Sequence, residues 1–186
     1  MRRLCALLLL LATLAPPPAR AAEAAPLLPT VELTLIDGER LDPASVRGKV
    51  VLIVNIASFC GYTGQLQDLQ LLYRRYRDRG LVLLGVPSDQ FGQEPGSDRE
   101  IRNFCTTRYG VEFPLLAKQE VNGPNRSPLY RALVASPPGG GEDISWNFEK
   151  FLLDRKGKVI ARFSPSTAPL QPQLVAAIEM ALSGAP

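Results

Sequence analysis

The sequence contains no histidine. That removes Ser-His-Asp hydrolysis, Cys-His nucleophilic catalysis and most zinc or copper sites in one step. Cysteine is scarce as well, with three in the chain, and tryptophan occurs once. No run of like charges suggests a binding tail, and no internal repeat or domain linker interrupts the pattern.

The N-terminus has the form of a secretory signal peptide. MRR is a basic start, LCALLLLLATLA is a short apolar stretch, and PPPARA ends in a small-residue cleavage pattern at Ala21. The stretch is too short for a comfortable membrane span. Cys5 lies at the front of the apolar stretch, so it does not mark a lipoprotein. Cleavage after about Ala21 removes Arg2, Arg3 and Arg20 and no acids, which leaves 18 Lys and Arg against 18 Asp and Glu. A net charge of zero gives no electrostatic reason to expect nucleic acid or stable membrane association. The expected organisation is a leader at 1–21, an unstructured lead-in at 22–30 and one domain at 31–184, secreted or periplasmic.

Two cysteines then remain, Cys60 and Cys105. In an exported chain they fit either a structural disulfide or a redox pair. Their contexts are informative. VVLIVNIA is a continuous β-branched run, as a strand buried on both faces would be. After Cys60, an amphipathic pattern places Leu66, Leu69, Leu72, Tyr73 and Tyr76 on one helix face, with Gly80 as its stop. LVLLGV reads as a second buried strand. Ser97 and Glu100 make a capping box for a helix running toward Gly110 and carrying Cys105. FPLLA is a short strand, and SPLYRALVAS is a helix started by Ser127 and Pro128. PPGGGED at 137–143 reads as a flexible connector. VELTLIDGER and FLLDRKGKVIARF read as hairpins, and QPQLVAAIEMAL as a closing helix. Alternating strands and helices predict a single α/β domain, a central mixed sheet flanked by helices. A strand–Cys–helix entry to a βαβ unit predicts the thioredoxin-like fold.

A cysteine opening a helix meets unpaired backbone N–H groups and the positive end of the helix dipole, and both favour the nucleophilic thiolate. Cys60 begins C-x-x-T rather than C-x-x-C, because Thr63 stands where a dithiol oxidoreductase would keep its second sulfur. A single attacking thiolate is favoured over local disulfide exchange; the other reading is a buried structural cysteine. Ala57 lacks the hydroxyl that a peroxiredoxin would carry three residues before its cysteine. A copper-delivery protein of this fold would need C-x-x-x-C and a histidine.

These motifs resemble the glutathione peroxidase family over roughly residues 31–182. NIASFCGYT is similar to N-V-A-S-x-C-G-x-T, with cysteine in place of selenocysteine. FGQEPGSDREI is similar to F-G-x-Q-E-P-G-S-x-x-E-I. VNGPN and PLY follow in order, and ISWNFEKFLLDRKGKVIARFSP is similar to I-x-W-N-F-x-K-F-L-x-D-x-x-G-x-V-x-x-R-F-x-P. The resemblance implies a thiol peroxidase acting on hydrogen peroxide and organic hydroperoxides through a tetrad of Cys60, Gln93, Trp146 and Asn147. It implies no cofactor and no metal. F-G-Q-E is one residue shorter than the family pattern, which leaves Gln90 as the alternative to Gln93. Phe59, Gly64 and Ser88-Asp89 also depart from common family residues. An indole N–H and two amides are the neutral donors a site without histidine needs to orient a peroxide and stabilise developing charge.

The resemblance further implies that Cys105 resolves the sulfenic acid of Cys60; the other reading is a buried helix cysteine. Only SPPGGGEDIS fills the place where tetrameric glutathione-using members carry a long insertion. The expectation is therefore a monomer of the short type, reduced by a thioredoxin-like protein, with glutathione as the other reductant. A peroxide sensor that hands its disulfide to a partner protein is the competing function.

Overall fold

The computed structural model describes Leu28 and residues 31–184. The expected leader at 1–21 lies outside the described residues, as does the lead-in apart from Leu28, which is buried.

The buried run forms β1 (Val50–Ile56), with every residue buried. It lies inside a four-stranded sheet of order β2-β1-β3-β4, where β2 is Leu81–Pro87, β3 is Lys150–Leu153 and β4 is Val159–Phe163. β1 pairs in parallel with β2 and antiparallel with β3, and β3 pairs antiparallel with β4, so the sheet is mixed as expected. Among the described residues four helices cover it: α1 (Gln65–Tyr76), α2 (Asp98–Tyr109), α3 (Pro128–Ala135) and α4 (Pro172–Ser183).

Strand periodicity divides the core into two layers. Val50, Leu52, Val54 and Ile56 face α1, α2 and α4, meeting Leu66, Leu69, Ile101, Leu174 and Ile178. Val51 and Ile53 face α3, meeting Leu129, Tyr130 and Leu133. Covering both faces is why β1 contains no polar–apolar alternation. Cys60 and Cys105 belong to the same layer, on the α1 side.

Local chemistry sets the boundaries. Gly80 leaves the α1 segment in the left-handed region, at φ 99°. The Ser97–Glu100 capping box is complete, and Gly110 closes α2. Ser127 caps α3, with Pro128 in its first turn.

Three sequence expectations need correction. The hairpin expected at 31–40 makes only isolated bridges, Thr34 to Arg40 and Leu35 to Leu116, around a turn at Gly38. FPLLA likewise bridges Gly85 and Leu35 without becoming a strand. Gly85 allows this close approach, since a Cβ there would stand 2.7 Å from Leu115 Cδ2 and the leucine would have to shift. The 137–143 segment is not a loose connector. Pro137–Gly139 is a 3-10 turn, and the Arg162 guanidinium donates to the carbonyls of Gly139, Glu142 and Asp143. A glycine-rich composition suggested freedom, but a distant arginine supplies the missing hydrogen bonds.

Candidate active site

The topology brings three segments to one edge of the sheet. β1 delivers residues 57–64 at its C-terminal end, and parallel β2 delivers the 88–96 loop at the same end. β3 runs antiparallel to β1, so the residues preceding it, Trp146 and Asn147, arrive there too.

Cys60 does not open α1. The helix begins at Gln65, and Cys60 sits in the preceding turn. Thr63 makes that turn: its hydroxyl accepts the Cys60 N–H at 3.0 Å and lies 2.8 Å from the Ala57 carbonyl and 2.7 Å from the Cys60 carbonyl. A side chain that satisfies the backbone this way competes with helix, which explains why α1 starts late. The turn still aims a backbone donor at the sulfur, since Tyr62 N–H points at Cys60 Sγ over 3.4 Å. Cys60 is 8 % exposed, between half-buried Ser58 and the exposed aromatic rings of Phe59 and Tyr62.

Gln93 stands beside this turn. Its carbonyl accepts the Phe59 N–H at 3.1 Å, and its side-chain oxygen accepts from Asn147 Nδ2 at 2.9 Å. Gln90 is engaged elsewhere, accepting the Asn122 N–H at 3.0 Å. The geometry thus joins Gln93 and Asn147 at the shoulder of Cys60. Trp146, half-exposed, packs against Phe91 with ring centroids 4.9 Å apart. Asn147 is fully buried, and its Oδ1 has no protein partner.

Four residues that build the site went unremarked in the sequence. Asn55 is a fully buried amide in an otherwise apolar strand. It donates to the Trp146 carbonyl at 3.0 Å and accepts the Glu149 N–H at 2.9 Å, while its backbone carbonyl takes Phe148 N–H at 2.7 Å. Phe148 has φ 67°, the one non-glycine in the left-handed region among the described residues. That conformation costs roughly 1–3 kcal/mol and persists only where neighbours hold it. Asn55 holds one side and Lys150, itself fully buried, holds the other by donating to the Phe148 carbonyl at 2.7 Å. Lys150 also reaches the Pro165 carbonyl at 3.5 Å, which Gln65 at the start of α1 binds at 2.8 Å. The fourth is Glu94, 1 % exposed, whose carboxylate accepts the Ser58 hydroxyl at 2.9 Å. A polar residue inside an apolar run was the available signal for Asn55, because burying an amide requires partners.

Burial depresses the Lys150 ammonium to about 8. An unfolded lysine keeps its proton to about 10.4. Between those values the unfolded chain binds more protons than the native one, so this group's contribution to stability rises with pH. Cys105 acts in the opposite sense. Burial, then the nearby Glu94 charge, pushes its thiol up to about 12. The native thiol keeps a proton that an unfolded one loses above about 8.5, so its contribution falls as pH rises. The two oppose each other in the wild type, and Lys150→Met separates them. Urea unfolding should show wild-type stability gaining on the variant by up to about 1.4 kcal/mol per pH unit between pH 8 and 10. Parallel stability curves would show that Lys150 does not titrate in this window.

The chain is similar to known proteins in both sequence and fold. The glutathione peroxidase family model matches residues 29–134. The hydroperoxy fatty acid reductase Gpx2 of Synechocystis sp. is 57 % identical over 156 residues, covering 83 % of this chain and 98 % of that protein. The thioredoxin/glutathione peroxidase BtuE of Escherichia coli is 44 % identical over 170 residues, covering 80 % of this chain and 93 % of its own length. Among solved structures, Trgpx in its apo form superposes with a TM-score of 0.69 at 32 % identity, covering 87 % of this chain and 98 % of that one. The chain belongs to the glutathione peroxidase family and is a peroxidase with a thioredoxin-like α/β fold.

Proposed function

We propose that Cys60 is the peroxidatic residue of a peroxidase that reduces hydrogen peroxide and organic hydroperoxides. The observation that carries this is the junction of the Cys60 turn with the Gln93–Asn147 pair, through Phe59 N–H and the Gln93 carbonyl. The Cys60 thiolate attacks the distal oxygen of ROOH. The O–O bond breaks, the departing RO⁻ takes up the proton that Cys60 gave up on ionising and leaves as ROH, and Cys60 becomes sulfenic acid. The Tyr62 N–H points at the attacking sulfur. Gln93, Asn147 and Trp146 supply N–H donors where negative charge develops on the departing oxygen. The backbone strain at Phe148 is consistent with this, since it holds Trp146 and Asn147 in one arrangement before substrate arrives.

Trp146→Phe retains a ring against Phe91 but removes the indole donor. It should slow Cys60 oxidation by roughly tenfold to a thousandfold, the range for one lost donor. A second-order rate equal to wild type in stopped-flow would reduce Trp146 to a packing residue.

Cys105 is the proposed resolving residue, and a thioredoxin-like protein the proposed reductant, as the short 136–145 segment suggests. Glutathione is the second reductant to test, since the name of the Escherichia coli relative carries both. Steady-state peroxide consumption with thioredoxin, with glutathione and with neither separates these. Single-turnover oxidation without catalytic consumption under any reductant would favour the sensor reading. We place the mature protein in the periplasm or outside the cell, as a monomer, on the leader pattern and the short segment alone. N-terminal sequencing of the exported protein tests the former, and sedimentation the latter.

A further inference from the structure

Glu94 has a position that the peroxide-reducing chemistry does not use. It lies at the wall of a cavity of about 410 Å³. On one side of that cavity are Ser58 and Phe59, leading into Cys60; on the other are Ile101 and Phe104 of α2, which carries Cys105. The carboxylate is tied to the Cys60 side by the Ser58 hydroxyl. Its backbone is fixed as well: its N–H donates to Asp89 at 2.8 Å, and its carbonyl accepts Lys118 Nζ at 2.8 Å. Its charge adds to burial, the larger cause, in raising the pKa of the Cys105 thiol. Burial pushes the carboxyl itself above the usual range, against the pull of Ser58 and Lys118 and with the push of Asp89. Glu100 lines the same cavity, but its carboxylate is bound to Ser97 in the helix cap.

Buried Cys105 is protonated at neutral pH, so a thiol arriving at the Cys60 sulfenic acid must first lose its proton. A fixed carboxylate beside Ser58, lining a cavity whose far wall is the helix that carries Cys105, meets that need. We propose that Glu94 is the general base of the resolving step, receiving the proton of Cys105 as that thiol crosses the cavity to Cys60. The step balances without any other reagent. Glu94 takes the proton from Cys105 Sγ, the S–S bond to Cys60 forms, and the Cys60 S–O bond breaks. The departing oxygen leaves as water with the proton Glu94 returns. Cys105 sulfur is oxidised, Cys60 sulfur is reduced, and the carboxylate is regenerated. The inference rests on the reading of Cys105 as the resolving cysteine.

The test is a single turnover of the full chain with one equivalent of hydrogen peroxide. Samples are quenched, Cys60 sulfenic acid is trapped with a dimedone reagent, and the Cys60–Cys105 bond is followed by mass spectrometry. Glu94→Gln should form sulfenic acid and then form the disulfide about 100-fold more slowly than wild type, the low end for a lost general base. The sign is diagnostic. A glutamate that only placed negative charge beside Cys105 would, once neutralised, ease thiol ionisation and speed the bond. Disulfide formation in Glu94→Gln as fast as wild type, or faster, overturns the proposal. The wild-type pH profile gives a second reading that needs no variant. The rate should level off once Glu94 is ionised, whereas a rate climbing about tenfold per pH unit up to pH 10 would show hydroxide doing the work and overturn it. Wild-type protein that makes sulfenic acid but never a Cys60–Cys105 bond would instead refute the resolving role of Cys105, a distinct outcome.

Discussion

Cys60→Ser is expected to abolish peroxide reduction while leaving the fold intact. A serine hydroxyl is nearly undissociated at neutral pH and is a poor nucleophile toward oxygen, so the remaining donors would hold a peroxide with nothing to attack it. The substitution fits the site: serine is close in size to cysteine, the Thr63 bonds involve the backbone of residue 60 rather than its side chain, and Tyr62 N–H can donate to a hydroxyl oxygen as to sulfur. The measurement pairs peroxide consumption with a thermal melt. Activity near wild type in a folded variant would sink the mechanism, and an unfolded variant would show Cys60 to be structural.

The second large effect concerns Cys105→Ser. Neither cysteine is in a disulfide, and both are buried. A disulfide needs Cα atoms within about 7 Å and converging Cβ vectors, and we propose that the two sulfurs reach that geometry by local opening of α2. The helix is suited to that. Only Ile101 and Cys105 among its residues are buried, with Phe104 and Tyr109 packing partly exposed against the core, so much of the helix faces solvent. Near its C-terminal end, Thr106 and Thr107 turn their hydroxyls back onto the carbonyls of Arg102 and Asn103, a pattern that weakens helices slightly. Cys105→Ser should therefore consume one equivalent of peroxide at the wild-type rate, stall with thioredoxin, and carry sulfenic acid on to sulfinic acid. In wild type, amide exchange across 98–109 should rise on oxidation. Normal thioredoxin-driven turnover by Cys105→Ser would make Cys105 a core residue and require an external thiol to resolve Cys60.

Much of this site was legible because its parts are local. The NIASFC segment, the capping box before Cys105 and the W-N-F turn are each set by residues near one another in the chain. What sequence could not supply were the bonds between distant segments. Nothing in F-G-Q-E-P-G indicates that Glu94 faces Ser58, 36 residues earlier. The start of α1 was misplaced for a related reason: helical periodicity reaches back toward Cys60, but the Thr63 hydroxyl captures the Cys60 N–H first. Gln93 and Gln90 differ in the partners each amide finds, Asn147 for one and Asn122 for the other, a difference that a loop one residue shorter than the family pattern does not reveal. The 137–143 segment misled because its order comes from Arg162 on β4.

The central claim is that one thiolate, Cys60, takes the oxygen from peroxide. Stopped-flow mixing of reduced wild-type protein with one equivalent of hydrogen peroxide, quenched with dimedone and mapped by peptide mass spectrometry, tests it most directly. The account predicts that the earliest adduct lies on Cys60, that Cys105 is unmodified at that time, and that the adduct declines as a Cys60–Cys105 bond appears. A first adduct on Cys105, or peroxide consumed with Cys60 unchanged, would contradict it.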